Sequence, residues 1–319
     1  MNEAKQWRRR AVMLTGLLLA GASLASIIQL SQSPSAQEAD PSLSAPSGDR
    51  GPGKREKLLL GWSPWADAEV VSLMAEELIE THYGVPVERV MADIGIQYQS
   101  VARGDLDLML MAWLPGTHRD YWQRVRDQVL DLGPMYSGKL GWVVPDYVPA
   151  SEVSSISDLS DQKLAARFGD RVQGIDPGSG LNQASEEALK SYGLDDIELV
   201  SASSAAMTAV LAQAIREQRW VVVTSWTPHW MFARYQLRFL DDPDGVFGGT
   251  ERIHALARLG LDQQYPQVTD FLSRFHLPDQ ELSAVLLNAQ DTSAEEAVMS
   301  YLELHPERVH YWVSGQVSP

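Results

Sequence analysis

Cysteine is absent from all 319 residues, and that absence closes several routes at once. Disulfides, thiolate nucleophiles and cysteine-based zinc sites are excluded, and with them a lipid anchor on a cysteine of the bacterial lipoprotein kind. The seven histidines, at 82, 118, 229, 254, 276, 305 and 310, are scattered without metal-ligand spacing. Neither His-Glu-x-x-His nor Gly-x-Ser-x-Gly occurs, so the machinery of a zinc or serine hydrolase is missing. No glycine-rich turn ends in Gly-Lys-Ser/Thr, and no full Gly-x-Gly-x-x-Gly is present, which argues against a nucleotide loop. No catalytic residue, metal or cofactor is therefore expected. Basic residues are outnumbered as well: 26 Lys and Arg against 42 Asp and Glu leave a net charge of -16. Attraction to nucleic acid or to an anionic lipid surface is disfavoured by that balance.

What is present starts with a hydrophobic fraction of 45%, enough for one large domain or two lobes with cores of their own. At the N-terminus Arg8-Arg9-Arg10 precede an apolar stretch running from Ala11 through Ile27-Ile28 to Leu30, the layout of an export signal. Ser23-Leu24-Ala25 offers a small-residue cleavage site, yet the stretch is about long enough to span a bilayer. Cleaved signal and retained anchor both fit residues 1–30. Residues 31–56, rich in Ser, Pro, Gly, Ala and charge, read as a flexible linker.

From Lys57 onward short apolar runs alternate with helix-period segments, the pattern of an α/β fold. Leu58 to Leu60 reads as a strand. Asp67 to His82 reads as a helix with Val70, Leu73, Met74 and Leu78 on one face and Gly84 past its end. Val85 to Met91, a helix at Gln97 to Arg103, and the strand Leu106 to Trp113 complete a first α/β set. A second begins at Gly141-Trp142-Val143-Val144-Pro145. It continues through the strand Val172 to Ile175, the turn Asp176-Pro177-Gly178-Ser179-Gly180, a helix over 181–192, a strand over 198–201, a helix over 205–218 and the strand Trp220 to Thr224. From Tyr265 the pattern is helical, with starts at Pro278-Asp279 and Ser293-Ala294. Two α/β lobes joined by crossing strands are expected: lobe I from 57–143 and 245–319, lobe II from 144–244.

Ligands of open α/β lobes sit beyond the C-terminal ends of the strands, and there this chain repeats itself. Gly61-Trp62-Ser63-Pro64-Trp65-Ala66-Asp67 follows the first strand, Ala112-Trp113-Leu114-Pro115-Gly116-Thr117-His118 the third, and Ser225-Trp226-Thr227-Pro228-His229 the strand at 220–224. One such tryptophan is ordinarily a cap on the core. Three around one space would attract a bulky, weakly hydrated cation through the negative faces of their rings, above all a quaternary ammonium, which has no N–H to give a carboxylate. His229, at a short helix start, is a candidate donor to a carboxylate. The amides of the turn at Gly178, Ser179 and Gly180 offer the same service.

These segments, together with Gly174-Ile175-Asp176-Pro177-Gly178-Ser179-Gly180, Val221 to Phe232, and Phe247-Gly248-Gly249-Thr250-Glu251-Arg252-Ile253-His254, resemble the glycine betaine/proline betaine substrate-binding proteins of ABC importers. The similarity runs from about Leu58 to Trp312. It implies a two-lobed periplasmic-binding-protein fold of type II-like architecture with the ligand cleft between the lobes, and a monomer that delivers its ligand to a membrane permease driven by a cytoplasmic ATPase. By the same resemblance Trp65, Trp113 and Trp226 form the cage, His229 meets the ligand carboxylate, and Tyr136 is a fourth wall. Asp67 resembles an acidic residue that choline-binding relatives use near the ligand, which keeps a choline- or carnitine-preferring protein open beside glycine betaine. A sensory module tethered by residues 11–30 is the remaining alternative. The expected location is the periplasm, free or held by an uncleaved N-terminal segment.

Overall fold

The computed structural model describes residues 56–317. The expected export segment and all of the expected linker but Glu56 lie outside the described residues. The first half runs β1 (Leu58–Trp62), α1 (Ala66–Tyr83), β2 (Val87–Met91), α2 (Ile94–Arg103), β3 (Leu108–Leu114), α3 (Arg119–Val125) and the long β4 (Val129–Pro145). The second runs α4 (Gln162–Arg167), β5 (Arg171–Gln173), α5 (Gly180–Ser191), β6 (Glu198–Val200), α6 (Ser204–Arg216), β7 (Val223–Thr227), α7 (Met231–Arg234) and β8 (Leu237–Phe239). Then come β9 (Glu251–Arg258), α8 (Leu261–Gln264), α9 (Pro266–Arg274), α10 (Asp279–Asp291), α11 (Ala294–Leu304) and α12 (Pro306–Ser314).

Local sequence sets these elements. In α1, Val70, Val71, Met74, Ala75, Leu78 and Ile79 form the buried stripe, Asp67 and Glu69 sit in the first turn where the helix dipole favours negative charge, and Gly84 closes the end at φ 64. All seven residues of β3 are buried, as expected of a strand covered on both faces. The strands follow one path, β2-β1-β3-β9-β4-β7-β5-β6, with β8 beside β4. β1 pairs in parallel with β2 and β3, and β5 in parallel with β6 and β7. Between these two parallel groups lie the antiparallel strands β9 and β4.

β4 is the crossing strand. Val129 to Gly138 pair with β9, whereas Lys139 to Val143 pair with β7. The C-terminal helices then return to the first half, where α9, α10 and α11 pack on α1. Two of the differences from the sequence reading bear on the site. The strand expected at 220–224 is displaced to Val223–Thr227, because its register on β4 starts at Val223 opposite Val143, so Trp226 lies inside a strand. And β9 was not expected as a strand at all; its alternation is masked by Glu251, Arg252 and His254, and the strand is made by pairing with β3 and β4 on either side.

Candidate functional site

The C-terminal ends of β1, β3 and β7 and the start of α5 meet around one cavity. Its lining includes Trp65, Asp67, Trp113, His118, Ser179 and Trp226, with Thr117, Leu140, Ile175, Gly180 and Leu181 filling the gaps. The walls lie close together, leaving about 20 Å³ for the centres of water-sized molecules, little more than one water needs. Trp65, Trp113 and Trp226 are 7%, 4% and 3% exposed, so the indoles are withdrawn from bulk water. Sequence positions far apart are brought together here: Trp65 and Trp113 come from the first half, Trp226 from the second.

Asp67, fully buried, is the hub of the polar contacts. Its Oδ1 accepts from Trp226 Nε1 at 3.1 Å and its Oδ2 from the Tyr136 hydroxyl at 2.9 Å. Burial pushes its pKa up from 3.8 to about 6, and the hydrogen bonds from Tyr136 and Trp226 hold it from rising further. The folded state thus binds this proton more tightly than the unfolded chain. The stability gained from it is complete below pH 3.8 and is lost as the pH rises through about 6. Asp67→Asn, which keeps an acceptor for Trp226, is expected to raise thermal stability at pH 8 by up to about 3 kcal/mol and to change it little at pH 3.5. Paired melts at the two pH values check the difference.

His118 stands on the cavity wall. Trp113 N–H donates to its Nδ1 at 3.1 Å, so in the neutral ring the proton sits on Nε2. The ring also makes a hydrogen bond with the backbone of Met111. Burial lowers the pKa of His118 to about 3, and the ring is neutral at pH 7. The loop carrying it is pinned by Glu251, whose carboxylate accepts from Gly116 N at 2.9 Å, from Thr117 N at 3.0 Å and from Thr117 Oγ1 at 2.5 Å. A buried carboxylate collecting three donors is a strong local clamp, and this explains the glutamate in the Phe247 to His254 motif.

Three expected site residues are placed elsewhere. His229 lines a different hollow, with Ser137, Pro228, Phe232, Asp279 and Ser283. Its Nδ1 accepts from Met231 N at 3.2 Å, and its ring meets the Trp226 ring edge-to-face at 4.7 Å. The Thr227-Pro228 turn carries His229, expected from the sequence beside the ligand carboxylate, against Trp226 and outside the lining of the cavity. Tyr136 is no wall either. It sits behind Asp67, 1% exposed, and its hydroxyl is spent on Asp67 and Met111 Sδ. Gly178 is exposed at the surface of its turn, where its carbonyl accepts from Tyr121 Oη, while Ser179 and Gly180 do reach the cavity. Ser179 Oγ itself caps α5 by accepting from Asn182 N.

Residues 56–304 match the family described as the substrate-binding domain of ABC-type glycine betaine transport systems. The chain belongs to this family. Its fold is that of the lactococcal OpuAC structure in its closed-liganded conformation with glycine betaine, at 36% identity and TM-score 0.75, covering 82% of this chain and all of that one. A glycine betaine/L-proline-binding protein, ProX, from Borrelia burgdorferi is similar at 31% identity and TM-score 0.75, covering 81% of this chain and 96% of that one. The glycine betaine/carnitine transport binding protein GbuC of Listeria monocytogenes is 40% identical over 147 residues, which are 45% of this chain and 49% of that protein. The fold is thus the two-lobed one of binding proteins. The family is one of transport binding proteins, not of enzymes.

Two glycines show how tightly the site is fitted. A Cβ on Gly138 would lie 2.3 Å from the Trp113 ring and 2.7 Å from the Thr227 carbonyl, so only glycine lets β4 pass beneath that indole. A Cβ on Gly180 would lie 2.8 Å from the Thr117 carbonyl and 3.0 Å from His118 Cδ2. Gly180 and Thr117 come from the two halves of the chain, which meet here with no room for a side chain.

Proposed function

We propose that the protein captures a quaternary ammonium compound bearing a carboxylate, glycine betaine first, and hands it to the permease of an ABC importer driven by a cytoplasmic ATPase. The observation that carries this reading is one cavity lined by three indoles from the two halves of the chain together with a neutral imidazole. The indole faces take the trimethylammonium group, each contact contributing about 0.5 to 2 kcal/mol, and the negative charge of Asp67 favours a cation at that wall. His118 Nε2–H, assisted by backbone amides at the start of α5, takes the carboxylate. His118 thereby replaces His229 in the role read from the sequence.

We take the lobes as 57–143 with 245–319 and as 144–244, with β4 crossing between them. A ligand that touches Trp65 and Trp113 on one side and Trp226 on the other bridges the lobes and favours the closed state. Gly180→Ala, which forces the lobes apart at Thr117, is expected to weaken glycine betaine binding at least ten-fold, about 1.4 kcal/mol, while leaving the melting temperature of the ligand-free protein within a few degrees. Titration of both, with and without ligand, separates the two effects.

The protein works outside the cytoplasm, in the periplasm, as a monomer either free or held by its N-terminal segment. Among the described residues no helix is long and apolar enough to cross a membrane. Choline is the second reading, favoured by Asp67 on the cavity wall; both carboxylate oxygens of Asp67 already accept hydrogen bonds, which leaves the choline hydroxyl little to gain there. Calorimetry with glycine betaine, proline betaine, carnitine and choline tests the reading. The two betaines are expected to bind more tightly than choline, and choline in first place would favour the second reading.

A further inference from the structure

We infer that Asp176 is a positioning residue that latches the closed cleft, by accepting the indole N–H of Trp65 from the opposite lobe while Asp67 accepts that of Trp226 in the reverse direction. The inference rests on the cage reading for its ligand and on geometry for the latch. Trp65 Nε1 donates to Asp176 Oδ2 at 2.6 Å, and Trp226 Nε1 donates to Asp67 Oδ1 at 3.1 Å. Trp65 precedes α1 in lobe I and Asp176 lies in the turn before α5 in lobe II; Asp67 belongs to lobe I and Trp226 to lobe II. The two bonds therefore cross the cleft in opposite directions.

Closure removes water from the polar edge of each indole, and a desolvated N–H without a partner is costly. A carboxylate from the far lobe supplies the acceptor at the moment of closure. The ring faces are left for the ligand, and the ring planes are fixed by their edges. Neither bond can exist in an open cleft, so both add to the closed state alone and act on ligand release more than on capture.

Asp176 isolates this effect. Asp67 lines the cavity, so replacing it would change the field on a cation as well as the latch; Asp176 is not part of the lining. Its turn is held in place independently, since Ser179 N and Ser179 Oγ donate to the Asp176 carbonyl at 3.0 and 2.8 Å. Substituting the side chain leaves those bonds intact.

The test compares the wild-type protein with Asp176→Ala and Asp176→Asn, whose amide oxygen still accepts. Stopped-flow tryptophan fluorescence with glycine betaine should show Asp176→Ala releasing the ligand roughly ten-fold faster, with association changed by less than about two-fold, and Asp176→Asn recovering most of the loss. A second readout needs no ligand: spin labels placed on the two lobes report the closed fraction, which should fall in Asp176→Ala and recover in Asp176→Asn. Equal closed fractions and equal release rates in all three proteins would overturn the latch, as would an Asp176→Asn variant as impaired as Asp176→Ala. A wild-type protein that ignores glycine betaine but whose closed fraction follows the acceptor would sink the ligand reading and leave the latch standing.

Discussion

Trp226→Ala is expected to weaken glycine betaine binding by a hundred-fold or more, the largest loss of any single substitution in the site. Three effects add. The ligand loses one ring face, worth about 0.5 to 2 kcal/mol in a desolvated cage. The site loses the apolar surface of an indole that is 3% exposed. Asp67 Oδ1, completely buried, is left without its donor, and an unpaired buried acceptor costs about 1 to 3 kcal/mol. Together they amount to about 3 kcal/mol or more, which at 1.4 kcal/mol per decade is at least a hundred-fold. Calorimetric titration of wild type, Trp226→Ala and Trp226→Phe measures it, and phenylalanine should restore part of the affinity by restoring a ring face. Unchanged affinity in Trp226→Ala would assign the ring to the core.

The second large effect is one of selectivity. His118→Ala is expected to cost glycine betaine about 1.5 to 3 kcal/mol, the worth of a hydrogen bond to a charged group, and to cost choline, which has no carboxylate, far less. The ratio of the two affinities is the informative quantity. Removing the imidazole also takes away the acceptor for Trp113 N–H, and any resulting shift of Trp113 is common to both ligands. The ratio cancels it. His229→Ala, by contrast, should move both ligands alike, since His229 backs Trp226 and does not line the cavity. Equal losses in His118→Ala would remove His118 from carboxylate recognition.

The different placement of the two histidines, His118 on the cavity wall and His229 behind Trp226, shows what the sequence can and cannot carry. Both follow a tryptophan and a proline at the end of a strand: Trp113-Leu114-Pro115-Gly116-Thr117-His118 and Trp226-Thr227-Pro228-His229. The parallel was legible, and the longer spacing after Trp113 was the available signal. What decided between them was not local. The His118 loop is shaped by Glu251 on β9, a strand that is itself assembled only between β3 and β4. His229 is turned against Trp226 by the Met231 amide.

The meeting of three indoles at one cavity was legible because strand ends in α/β lobes are where ligands gather, a rule of topology that a linear pattern reveals. Asp67 was legible as an acid beside a cage tryptophan. Its partners were not, because Tyr136 and Trp226 reach it from β4 and β7. Tyr136 shows the same limit from the other direction: an aromatic at the right place along the chain lies one layer too deep. Gly138 reads as an unremarkable glycine in sequence and Gly180 as one of the turn amides offered to a carboxylate; both prove to be points of close approach, one under Trp113 and one against Thr117.

The central claim is that the cage selects a fully methylated ammonium and the rest of the site a carboxylate. It is tested most directly by titrating the wild-type protein calorimetrically with glycine betaine, dimethylglycine, sarcosine and glycine, which keep the carboxylate and lose one methyl group at a time. Each N–H gained is better hydrated in water and finds no acceptor between indole faces, so affinity should fall at every step, from a glycine betaine Kd well below about 1 mM to no measurable binding of glycine. A glycine betaine Kd weaker than about 1 mM, or dimethylglycine binding as tightly as glycine betaine, would contradict it.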